Sequence, residues 1–231
     1  MNTKLVIFDV DGCLYKHTPG WQDACLHAEA KVGETLLGLD YAEAKELGLA
    51  SFQRHGKISQ EWVERGLSYQ VAHHAYHAHM DISVVEEDPA LREALLPLAE
   101  AKDVVLATYS HGNRTWMYQA LTKLGIQDLF DPALTLALEN VRFKHKHNET
   151  YGFREIAERA GRYGRGSSYI PFNNAAMVED TVHNLSIPAH LGMRTHLVAT
   201  PERVADVPDY VHERHNDIHG ALDSIKNWAL G

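Results

Sequence analysis

The sequence predicts an α/β fold built on a parallel sheet, with an all-helical insertion after the first strand. Three observations predict it. A short apolar run, Lys4-Leu5-Val6-Ile7-Phe8, opens the chain and ends at Asp9-Val10-Asp11-Gly12, as a buried strand ends at a turn. From Gly20 to about Met80, Ala, Leu, Glu and His recur at helical spacing, and no alternating apolar strand is evident. Beyond Pro89, short apolar runs alternate with helix-length segments, the rhythm of βα units around a parallel sheet.

Taken in order, the insertion reads as helices over Trp21–Leu37, Tyr41–Ala50 and Ile58 to about His79, punctuated by Gly20, Gly38, Gly48 and Gly56. Glu86-Glu87-Asp88-Pro89 returns the chain, with Pro89 suited to a helix first turn. Then come a helix to Ala101, a strand Val104–Ala107 and a helix Arg114–Leu124 stopped by Gly125. A strand Leu134–Leu138, a helix Tyr151–Ala160, a strand Ala175–Val178, a helix Thr181–Leu191 and a strand Thr195–Ala199 follow. The strand-like Tyr210-Val211-His212 and the helix Ile218–Ala229 close the chain. The expected division is a Rossmann-like core from residues 1–15 and 88–231, with the helical insertion over 16–87.

Composition narrows the function classes. The chain has 231 residues, 45% of them hydrophobic and 23% charged, the make-up of a globular protein large enough for a core and a smaller domain. No apolar run approaches the roughly 18 residues that span a membrane. A net charge of −9 argues against nucleic acid as a partner, though not against a small phosphate ester held by a local cation. The apolar stretch at the N-terminus is too short for a signal peptide, and two cysteines, Cys13 and Cys25, make no disulfide framework. Both features point to the cytoplasm.

Asp9 and Asp11 follow a strand two residues apart, where side chains tend to one side. Two like charges so close require a cation, a shared proton or a chemical task, unless Asp11-Gly12 serves only as a turn. Thr108-Tyr109-Ser110 ends the second apolar strand, and Glu179-Asp180, with Asn184 behind, ends a later one. Lys144 and Lys146 precede the helix at Tyr151. In an open parallel sheet ligands bind beyond the carboxyl ends of the strands, where Asp9, Thr108 and Asp180 would meet. The simpler alternatives are helix capping for Thr108 and a helix-dipole role for Glu179. Of sixteen histidines, His73/His77 and His215/His219 have the i, i+4 spacing of a helical zinc pair, but neither lies in a recognised zinc motif, which favours a structural or surface role. Trp62, Tyr69 and Tyr76, seven apart, read as core packing.

Asp9-Val10-Asp11-Gly12, Thr108, a lysine and Glu179-Asp180, in this order, resemble the four motifs of the haloacid dehalogenase (HAD) superfamily. The resemblance runs from Lys4 to about Val198. It implies that Asp9 is a nucleophile, that Asp11 is the general acid and base, and that Thr108 and Tyr109 bind phosphate. It also implies that Lys146 (with Lys144 as the second candidate) braces the phosphoryl group. Mg²⁺ would be held by Asp9, the Asp11 carbonyl and Asp180, with Glu179 orienting the metal's waters. The dehalogenases lack the second Asp, so the expected reaction is hydrolysis of a small phosphomonoester through an aspartyl phosphate. Two departures stand out: Tyr109 replaces the usual Asn, and no Pro follows the lysine. Asp11-Gly12-Cys13-Leu14-Tyr15, Gly56, Asp88-Pro89-Ala90-Leu91-Arg92 and Leu124 to Asp131 are similar to the pyrimidine 5′-nucleotidase-like subfamily with its helical C1-type cap. A nucleoside 5′-monophosphate is therefore the first expected substrate, the partner being a small phosphorylated metabolite and the protein a monomer or homodimer. The alternatives are a phosphomutase of the same fold, or a phospho-ligand sensor without catalysis.

Overall fold

A computed structural model describes residues 3–55, 59–165 and 169–231; Gly56 and the start of the helix expected at Ile58 lie outside them. The chain divides into two compact units, Met1–Lys16 with Glu86–Gly231, and His17–Val85. In the first, among the described residues, β1 (Lys4–Phe8), β2 (Val104–Tyr109), β3 (Thr135–Leu136), β4 (Ala175–Glu179), β5 (Arg194–Val198) and β6 (Glu213–His215) form one sheet of order β3-β2-β1-β4-β5-β6. Every pairing is parallel. Leu5 to Phe8 are all fully buried, as expected for a central strand covered on both faces. The chain leaves β1 on one side for β2 and crosses to the other for β4, so a crevice opens at the carboxyl end of β1. There Phe8 is in register with both Thr108 and Val178, which aligns Asp9 with the ends of β2 and β4.

Helix α5 (Pro89–Glu100) starts where Asp88 accepts from the Ala90 and Leu91 amides, with Pro89 at its first position. Helices α6 (Arg114–Lys123), α7 (Tyr151–Arg165) and α9 (Ile218–Leu230) follow the expected pattern, with Asn113 and Asp217 capping α6 and α9.

Among the described residues, the regular elements of the second unit are all helical: α1 (Trp21–Leu37), α2 (Tyr41–His55), α3 (Gln60–Glu64), α4 (Tyr69–His79) and a 3-10 turn at Ile82–Val84. The fully buried Trp62 occupies its centre, donating its indole N–H to the buried Glu29 carboxylate. Gly33 makes this packing possible: a Cβ there would lie 2.8 Å from both Ala44 Cβ and Trp62 Cη2. Gly33→Ala gains about 1 kcal/mol of helix propensity but meets an overpacking cost of about 1–3 kcal/mol. A lowered melting temperature is expected by calorimetry, and an unchanged or raised one would contradict the packing.

Four expected elements differ. The single helix predicted to His79 is two, because Gly66 adopts φ +100° and Ser68 caps a new start by accepting from the Val71 amide. Thr181–Leu191 is a 3-10 turn (Val182–Leu185) followed by α8 (Ser186–His190); Pro188 has no N–H for a continuous helix and its ring would press on the carbonyl four residues back. The strand expected over Leu134–Leu138 shortens to Thr135–Leu136 between two 3-10 turns. The last strand lies at Glu213–His215 rather than Tyr210–His212, since the Val211 amide closes a turn onto the Pro208 carbonyl.

Candidate active site

The carboxyl ends of β1 and β4 bring Asp9, Glu179 and Asp180 together, all buried, with carboxylate oxygens within 4.8 Å of one another. The loop before α7 adds Lys146, fully buried, its Nζ 2.8 Å from Asp9 Oδ1 and 2.6 Å from Glu179 Oε2. Burial alone would strip the proton from this ammonium, but Asp9 and Glu179 outweigh it and hold the lysine charged. Burial also pushes Asp9 up to about 6 from its ordinary 3.8; Lys146 pulls it down, while Asp180 and Asp11 push it further up. Glu179 is raised well above its usual range by burial and by Asp9. Three buried carboxylates face one buried lysine, so the crevice carries surplus negative charge.

Glu179 has donors on both oxygens: Asn184 Nδ2 at 3.1 Å and the Thr181 amide at 3.3 Å on Oε1, and Lys146 on Oε2. Neither Glu179 nor Asp180 opens a regular helix, so the dipole alternative has no eight-residue helix to act on. Thr181, which precedes the 3-10 turn, makes no side-chain cap and donates its hydroxyl to Asp180 Oδ1 at 3.1 Å. From the partly exposed side, Arg203 pairs with Asp180 Oδ2.

Asp11 follows its own path. Trp116 Nε1 donates to its Oδ1 at 2.7 Å, the Tyr15 hydroxyl donates to the same oxygen, and Ser110 Oγ donates to Oδ2 at 3.2 Å. Gly12, at φ +76°, makes the turn that releases the chain from the strand. The turn and the paired carboxylates therefore coexist.

Thr108 is fully buried and does not cap α6, whose cap is Asn113; its hydroxyl lies 3.5 Å from Met117 Sδ. Tyr109, expected to bind phosphate, follows Thr108 on the same strand. Adjacent residues of a strand face opposite ways, and its ring turns beneath α7, stacked edge-on to Phe153, with the hydroxyl donating to the Lys144 carbonyl at 2.9 Å. Gly152 gives it room, since a Cβ there would meet the ring at 2.6 Å. The ring also borders the crevice, its centre 5.5 Å from Lys146 Nζ. Of the two lysines, Lys144 points outward, paired with Glu149 at 2.7 Å. His111, Trp116 and Arg203 carry no motif in the sequence, and Ser110, part of the Thr108-Tyr109-Ser110 segment, gains its role only through Asp11; His111 Nε2 accepts from the Lys146 amide at 3.1 Å, which fixes the loop that carries the lysine.

Comparison with known proteins identifies the frame. The model of the haloacid dehalogenase-like hydrolases matches residues 3–192. The chain belongs to this family. Solved structures agree on the fold of this HAD-like hydrolase. An HAD phosphatase from Thermococcus onnurineus superposes with a TM-score of 0.61 at 19% identity, over 99% of this chain and 98% of that one. CbbY from Rhodobacter sphaeroides, solved in complex with phosphate, gives 0.63 at 17% identity over 94% and 95%. A 2-haloacid dehalogenase from Pseudomonas syringae gives 0.59 at 19% identity over 98% and 100%. The HAD frame thus hosts different reactions, and the chemistry must be argued from this chain's own residues. Among the described residues, no helix is long and apolar enough to cross a membrane.

Proposed function

We propose that this HAD-like hydrolase is a cytoplasmic, Mg²⁺-dependent phosphatase that hydrolyses a small phosphomonoester, with a nucleoside 5′-monophosphate as the first candidate. One observation carries the reading: a buried Asp9, braced by Lys146, stands beside a second carboxylate, Asp11, that is held by separate donors and left out of the salt bridge. Two carboxylates with separate environments suit two tasks, nucleophile and acid/base. A dehalogenase has no use for the second.

In this reading an Asp9 oxygen attacks phosphorus, and the bond to the leaving alkoxide breaks as Asp11 gives that oxygen its proton. Asp11 then takes a proton from water, whose oxygen attacks phosphorus and releases the Asp9 carboxylate with inorganic phosphate. Lys146 and the amides after Thr108 offset the charge on the phosphoryl oxygens. The crevice fits a hard divalent cation: it offers carboxylate oxygens, and its negative charge exceeds what Lys146 cancels. Asp9, the Asp11 carbonyl and Asp180 would hold it, while Glu179, with both oxygens engaged, supports Lys146 and orients the cation's waters. When bound, the cation reduces repulsion between carboxylate and phosphate and polarises the phosphoryl group.

The test is phosphate release from a panel of nucleotides, sugar phosphates and other monoesters, with Mg²⁺ and with EDTA. Metal-dependent release supports the reading, and its absence in folded, Mg²⁺-binding protein refutes it. The role of Asp11 has a separate check. A hydrogen bond to a charged group contributes about 1.5–3 kcal/mol, so Trp116→Phe should lower kcat by about tenfold or more with little change in KM. A rise in KM at constant kcat would instead make Trp116 a substrate-binding group.

A further inference from the structure

We propose that His196, Glu213 and His215 form a binding site for a divalent transition-metal cation, Zn²⁺ foremost, at the β5–β6 edge of the sheet. The fold assembles the three residues. Glu213 and His215 are two apart on β6 and so share a face, and the parallel register sets His196 of β5 opposite Glu213. His196 Nδ1 lies 3.2 Å from His215 Nε2, and the latter lies 3.9 Å from Glu213 Oε2. One donor atom from each residue falls within 4.8 Å of the others. Tetrahedral zinc with bonds of 2.0–2.1 Å keeps its ligand atoms about 3.3 Å apart. The two nitrogens already stand at that spacing, and the carboxylate needs to close on His215 by about half an ångström.

A second observation points the same way. His196 is fully buried at a strand position where an aliphatic residue would pack, and its Nδ1 is turned to the His215 ring. Apart from neighbouring rings, its polar contact is a second imidazole, an arrangement that a cation between the rings would put to use.

The surroundings are compatible with a bound cation. Arg194 holds Glu213 Oε1 at 3.1 Å, and Ser224 of α9 donates to Oε2, so the carboxylate is oriented with Oε2 toward His215. Gly220 of α9 passes close to His215, and Asp217 adds negative charge nearby. Glu213 and His215 are partly exposed, which gives an entry path. His219, which the sequence pairs with His215 at helical spacing, is not a partner: it belongs to α9 and binds Asp88 at 2.8 Å. Two imidazoles and one carboxylate suit Zn²⁺ or its borderline neighbours, whereas the oxygen-only crevice suits Mg²⁺. The three ligands lie outside the family-matched residues 3–192. They also close the base of the connection that carries Arg203 to Asp180, where the Ala199 amide donates to the His215 carbonyl.

The experiment is equilibrium dialysis of the whole protein against Zn²⁺ under excess Mg²⁺, with Co²⁺ substitution read by visible absorption. One zinc per chain and an intense tetrahedral Co²⁺ spectrum are expected. His215→Ala and Glu213→Gln should each weaken zinc binding by at least about tenfold, while Asp180→Asn, in the crevice, should leave it intact. Circular dichroism on each variant separates loss of a ligand from loss of the fold. Zinc binding that disappears in Asp180→Asn yet survives both other substitutions overturns the proposal. So does the absence of zinc binding by the native protein, which would leave the two imidazoles as a hydrogen-bonded pair only.

Discussion

Asp9→Asn is expected to abolish phosphate release, by a factor on the order of 10⁴–10⁶ if the aspartyl-phosphate reading holds, the range seen when a catalytic nucleophile is removed. Asparagine keeps the shape and takes away the attacking oxygen. The same substitution has a second, opposite expectation for stability. Asp9 is held up to about 6 by burial, so the folded protein disfavours its ionised form. A carboxyl whose folded pKa is raised contributes stability that is complete below the unfolded value, 3.8, and lost as pH rises through about 6. Asparagine carries no such titration. The variant should therefore melt with the native protein at acidic pH and above it at neutral pH, the difference growing between those two values. Lys146 keeps its pairing with Glu179 throughout. Full activity in the variant removes Asp9 from the chemistry, and a lower melting temperature at neutral pH would show that its charge holds the crevice together.

The sequence conveys some of this site and hides the rest for physical reasons. β1 is legible because four consecutive buried residues leave a continuous apolar run, and its carboxylates stand out against that run. The helix start at Asp88-Pro89 is legible because the capping residue and the proline are local, whereas the cap of α6 is Asn113 and not the Thr108 that the strand end suggests. Gly66 and Pro188 break helices within stretches whose apolar spacing continues across them, and there periodicity misleads. The donors on Asp11 are harder still. Ser110 and Trp116 are 99 and 105 residues distant in the chain and meet Asp11 only because β2 lies beside β1. The direction of Tyr109 depends on its face of β2 and on the space left by Gly152, neither of which has a motif. Arg203 lies in the connection after β5, beyond the four motifs, and no pattern marks it.

Lys146→Met should be the most destabilising of the substitutions considered. Methionine fills similar volume but leaves Asp9 and Glu179 buried without their cation, and breaking a buried pair in this way costs about 3–5 kcal/mol. The pH dependence identifies the cause. Lys146 is held charged above its ordinary 10.5, so its contribution is complete below that value and lost only in strong alkali. The two carboxylates, already raised by burial, rise further without it, and each destabilises the fold only where it must ionise. The variant's deficit should therefore be largest at neutral and alkaline pH and shrink on acidification as Asp9 and Glu179 take up protons. Lys144→Met is the matched control: an exposed pair with Glu149 contributes no more than about 1 kcal/mol, and turnover should persist. Melting curves from acid to alkaline pH, with phosphate release on both variants, decide between the two lysines. If turnover disappears with Lys144 and survives loss of Lys146, the roles are reversed; if the Lys146→Met deficit is independent of pH, its origin is packing rather than uncompensated charge.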